Sequence, residues 1–200
     1  MPLLLTSTGL STAAVINQLE KMYPLNEQTK VAIITTASPQ KADNRFALKA
    51  KQDFQKLGVS EKRIRFFDFD QDDADELRNF ELIYISGGNP YYLLQAMNQV
   101  PAIKEIFQQI LQRSGVIIGV SAGALVLGPD IELVHLFTPQ MNEWLTDFSA
   151  LHLTNQYIFP HYDRSDLFGA EIESRIQLFE QQKEISVQRL KDTDYFVVAD

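Results

Sequence analysis

Val116-Ile117-Ile118-Gly119-Val120-Ser121-Ala122-Gly123-Ala124-Leu125-Val126-Leu127 is the stretch that decides the fold. A short apolar run meets Gly119-Val120-Ser121-Ala122-Gly123, and a second apolar run able to start a helix follows. G-x-S-x-G between a strand and a helix is the pattern of a nucleophile elbow. The chain must reverse within a few residues, which strains the middle one, and small neighbours let the turn pass close to adjacent strands. The Ser121 hydroxyl would then stand at the carboxyl end of a sheet, near the positive end of the next helix. The pentapeptide alone also fits a plain tight turn with Ser121 as a helix cap.

Outward from this turn, short apolar runs alternate with amphipathic stretches, the pattern of an α/β fold with a parallel sheet. Strands are expected at Leu3–Ser7, Val31–Thr35, Arg63–Phe67, Leu82–Ile85 and Val116–Ile118. Helices are expected after Ser11 or Thr12, through Phe46–Leu57 with Gly58 ending it, over Pro101–Gln112, and around Ile172, Ile176 and Phe179. The segment Pro129–Pro160 is less regular. Ile185–Leu190 and Tyr195–Val198 read as a closing pair of strands. Asp68–Glu76 is dense in acid but lacks the glycine and final glutamate of a calcium loop, so it reads as a solvated loop and helix start.

Two hundred residues with 45% apolar side chains suffice for one domain, here 1–200, with its own core. A net charge of −8 disfavours nucleic acid and anionic membranes as partners. The absence of cysteine removes disulfides, a thiol nucleophile and cysteine-ligated metals, and fits a cytoplasmic protein. Leu3–Leu5 is too short and lacks the basic flank for a signal peptide or membrane anchor.

Two further stretches carry chemistry. Ser86-Gly87-Gly88-Asn89 follows the strand Leu82–Ile85. Glycine lets main-chain N–H groups face a ligand, and acyl transfer needs two such donors for its oxyanion. Gly88 and Ala122 are the expected pair; a simple glycine turn is the other reading. Of the three histidines, His161, in Pro160-His161-Tyr162-Asp163, follows the apolar run Tyr157–Phe159 that could end beside the elbow. It is the expected general base for Ser121.

Together these stretches resemble peptidase family S51, which contains peptidase E (aspartyl dipeptidase) and, more distantly, cyanophycinase. The matching segments are Gly87-Gly88-Asn89 with Leu93-Leu94, Gly119 to Ala124, and Phe148-x-Ala150-Leu151 leading to Pro160-His161-Tyr162. The resemblance implies a three-layer α/β sandwich with a mostly parallel central sheet, of the class I glutamine-amidotransferase-like (flavodoxin-like) type. It also implies Ser121 as nucleophile, His161 as base, an oxyanion hole at Gly88 and Ala122, and Asn89 at the substrate. A small peptide is the implied substrate, and the chemistry needs no metal or organic cofactor. A homodimer is left open.

The chain departs from the family pattern twice. Direct counting to the family's orienting acid reaches Leu136, and the window to Pro139 holds no acid. Asp130, Glu132, Glu143 and Asp147 lie between Ser121 and His161, and Glu132, early in the loop leaving the elbow, is the choice among them. Asp163, or no acid at all, are the alternatives. The arginine that would hold a substrate aspartate aligns with Ile172, so Arg175, Arg164 or Arg45 would have to substitute. Tyr91, Tyr92, Trp144 and Phe148 could line a pocket or simply pack. Two rivals remain: another acyl hydrolase, such as an esterase or deacylase, on the same site, and a non-catalytic member of the fold.

Overall fold

The structure, a computed structural model, describes residues 2–198. Six strands form one sheet: β1 (Leu3–Thr6), β2 (Val31–Ile34), β3 (Ile64–Phe67), β4 (Leu82–Ile85), β5 (Val116–Val120) and β8 (Tyr195–Val198), in the order β3-β2-β4-β5-β1-β8. Every pairing is parallel except that of β8, which runs antiparallel along β1. The remaining strands, β6 (Tyr157–Phe159) and β7 (Val187–Arg189), pair in parallel as a separate two-stranded sheet.

The alternation of side chains along each strand builds the layers. Leu4, Val31, Ile33, Leu82, Tyr84, Val116 and Ile118 face α1 (Ala13–Met22) and α2 (Arg45–Lys56) through Val15, Leu19, Ala47 and Phe54. Leu3, Leu5, Ala32, Ile34, Ile83, Ile85 and Ile117 face α3 (Pro90–Asn98), α4 (Ile103–Gln112) and α5 (Ala122–Leu125). Strands buried on both faces read as continuous apolar runs, which is why they were visible in the sequence. Thr12 caps α1 by accepting from the Val15 amide, and Gly58 leaves α2 at φ 91°.

Two sequence expectations need correction. The last two strands do not pair with each other: β7 joins β6 and β8 joins β1, because each finds a parallel or antiparallel apolar edge elsewhere. Nor is the acidic run wholly solvated. Asp68 is buried and held by the Thr36 hydroxyl at 2.9 Å and Lys41 Nζ at 3.1 Å, while Asp73 caps a 3-10 turn over Ala74–Asn79. α6 (Glu132–Phe137), α7 (Ser165–Phe168) and α8 (Ile172–Lys183) complete the fold, and α6 and α8 pack on the small sheet through Leu133, Phe137, Ile172, Ile176 and Phe179.

Candidate active site

The site gathers at the carboxyl ends of β1, β4, β5 and β6, outside the strand ends where open α/β sheets commonly bind ligands. Ser121 is the turn between β5 and α5. Its amide still bonds to Thr6 O at 2.9 Å, while its φ of 51° and ψ of −110° are those of a strained turn. Such a turn requires α5 to pass against β4: a Cβ on Gly123 would run into Ile85 O.

Ser121 Oγ lies 3.0 Å from His161 Nε2. The opposite ring nitrogen, Nδ1, lies 2.5 Å from Asp192 Oδ1. With Nδ1 protonated, the ring donates to Asp192 and accepts from the serine hydroxyl, the arrangement of a Ser-His-Asp triad. His161 itself sits at φ 58°, just past the end of β6. Its amide donates to Ser7 Oγ at 3.1 Å, and that hydroxyl donates to Leu190 O, also at 3.1 Å.

Glu132 is therefore not the orienting acid. It opens α6, and its carboxylate pairs with Lys183 Nζ on α8 at 2.5 Å. Asp163 does not orient the ring either: it accepts from the Asp192 amide at 2.9 Å and so holds the loop that carries the acid. Thr8 Oγ1 donates to Asp192 O at 2.5 Å, and Arg164 Nη1 approaches its Oδ2 at 3.5 Å. Of the other acids, Asp130 accepts from the Tyr157 hydroxyl at 2.6 Å and Asp147 from the Ser149 amide at 2.9 Å. The remaining histidines lie elsewhere, His135 stacked on Phe148 and His152 bonded to Asn155.

The Gly88 and Ala122 N–H groups donate to no acceptor among the described residues. Gly88 has φ 148° and packs on Ala37, whose carbonyl a Cβ at this position would strike. Asn89 accepts from the amides of Tyr91 and Tyr92 and donates from Nδ2 to Met141 O at 2.9 Å, so it caps α3 while lining the cleft. Ile172 and Arg175 line no part of the cleft. Ile172 is packed in the cluster under the small sheet, and Arg175 bonds to Leu136 O with its guanidinium over Phe137. Tyr91 is buried with its hydroxyl on Thr138 O, Tyr92 bonds to Asp70, and Trp144 is exposed.

Two hollows meet at Ser121, His161 and Gly88. One, of about 470 Å³, runs toward α2 and is lined by Ser38, Gln40, Asn44, Phe46, Lys49 and Tyr84 among others. The other, of about 290 Å³, lies toward α5, α6 and α7. No group of three or more His, Asp or Glu side chains among the described residues is arranged to hold a metal ion.

The sequence profile of peptidase family S51 matches residues 3–200. The chain belongs to peptidase family S51. Among curated relatives, it is 38% identical over 90 residues to the uncharacterized peptidase PM1590 of Pasteurella multocida (strain Pm70), covering 44% of this chain and 43% of that protein. It is 36% identical over 91 residues to the uncharacterized peptidase Lin0382 of Listeria innocua serovar 6a, covering 45% and 43%. The chain thus spans less than half the length of the curated relatives it matches. A provisionally named peptidase E protein from Listeria monocytogenes EGD-e superposes with a TM-score of 0.78 at 20% identity, covering 98% of this chain and 93% of that one. A peptidase from an acI-B1 Actinobacterium gives 0.69 at 18% identity, covering 98% and 82%. The S51 chain described here shares their fold, the class I glutamine-amidotransferase-like α/β sandwich.

Proposed function

We propose that this S51 member is a serine peptidase that cleaves an amide bond in small peptides through an acyl-enzyme on Ser121, in the manner of a dipeptidase E. The observation that carries the reading is the continuous hydrogen-bonded line from Ser121 Oγ through His161 to Asp192. Family membership and the fold shared with the Listeria protein support it.

His161 Nε2 takes the proton of Ser121 as Oγ attacks the scissile carbonyl. The oxyanion forms against the free N–H groups of Gly88 and Ala122. His161 then protonates the departing amine, and water, deprotonated by the same ring, releases the acyl group. Asp192 holds the tautomer with the proton on Nδ1 and stabilises the imidazolium between steps. An acidic, cysteine-free chain suits this work in the cytoplasm.

A fluorophosphonate probe should label the native chain at Ser121, and a dipeptide panel should be cleaved by it but not by Ser121→Ala, a loss of about 10⁶ in kcat for a nucleophile of this kind. Aryl esters in the same panel separate a peptidase from an esterase. Equal rates for the two chains would end the reading.

A further inference from the structure

Resting on that reading, we propose that the smaller hollow receives the side chain of the residue whose carbonyl is attacked, and that it selects an apolar side chain over an acidic one. Its walls are Leu125, Val134, Phe159, Leu167 and Phe168, with Thr138 and Gln140 as polar groups and Met141 at the edge. Among the described residues its lining contains no Lys, Arg, Asp or Glu, and His161 is the single ionisable side chain there. A carboxylate placed there would lose its water without gaining a cation or a set of donors, a heavy penalty, whereas an apolar side chain gains by leaving water.

The assignment to the acyl side follows from the oxyanion hole. Ala122 lines this hollow and not the larger one, and the oxygen its N–H would hold belongs to the attacked residue. A volume of about 290 Å³ falls at the lower bound of roughly 300–1,000 Å³ usual for pockets of drug-sized ligands, which suits one side chain rather than a long segment. None of the three arginines offered from the sequence, Arg175, Arg164 and Arg45, lines it: Arg175 is committed to Leu136 O and Phe137, and Arg164 to Asp166 and Asp192.

The test separates binding from chemistry. In full-length Ser121→Ala, calorimetry with Leu-Gly, Phe-Gly, Asp-Gly and Lys-Gly should give Leu or Phe peptides at least tenfold tighter than Asp. Adding Leu167→Arg, a change on the exposed part of the wall, should narrow or invert that ratio. Equal or tighter binding of Asp-Gly, no binding by any of the four, or a ratio that Leu167→Arg leaves unmoved would overturn the proposal. Apolar preference in binding without Ser121-dependent cleavage would leave the pocket standing and remove the hydrolase. Ser121-dependent cleavage that favours Asp would do the reverse.

Discussion

His161 bonds at each ring nitrogen, and the two bonds have different standing in the sequence. Ser121 is singled out by its pentapeptide, and His161 by position after an apolar run. The fold brings those two within 3.0 Å. Asp192 carries no comparable signal. It follows His161 in the chain, outside the Ser121–His161 interval that holds Glu132, and it lies in a turn, Lys191-Asp192-Thr193-Asp194, that a terminal hairpin would have turned away from the site. Only the parallel pairing of β6 with β7 brings it close, since His161 and Asp192 lie two and three residues beyond the ends of neighbouring strands. Asp192→Asn should lower kcat by about 10⁴ through the wrong tautomer. Because its side chain is partly exposed, the melting temperature should barely move. Glu132→Ala should leave kcat unchanged and shift stability by at most about 1 kcal/mol, as for an exposed ion pair. Steady-state kinetics and thermal melts on the two variants decide between the acids.

The strands and helices legible in advance are those with a strong period: the doubly buried β2, β4 and β5, and α2, whose apolar residues recur on one face. Two short helices were not. α6 and α7 span 6 and 4 residues and take their stability from packing on Phe159 and its neighbours, not from a pattern. The pairing of β7 was illegible for a related reason, since 3 residues of strand do not specify a partner. The elbow depends on closeness between elements as well as on its own turn. Gly123→Ala forces a methyl into Ile85 O, so α5 must lift from β4. Destabilisation of roughly 1–3 kcal/mol is expected from such overpacking, read as a lower urea midpoint, with loss of probe labelling at Ser121.

At the scale of the whole molecule, one cluster is among those through which acid should weaken the fold. Arg189 on β7 bonds to Glu173 and Glu180 of α8, and these bonds hold both carboxyls below their ordinary value of 4.5. A folded-state value below the unfolded one means that the unfolded chain binds protons first. The contribution is complete above about pH 5 and is lost as pH falls through the folded values. Arg189→Met should therefore be less stable at pH 7 yet lose less on going to pH 3, checked by urea midpoints across that range. The cluster belongs to the smaller sheet, which among the described residues shares no strand ladder with the larger one. His161 rides on one leaf and Ser121 on the other. Ser7, at the end of β1, grips the His161 amide and the neighbouring Leu190 carbonyl with a single oxygen. It works as a rivet between the leaves. Under the proposed mechanism, loosening it would slacken the seat of the imidazole beside Ser121, so turnover would fall through a residue that itself exchanges no proton with the substrate.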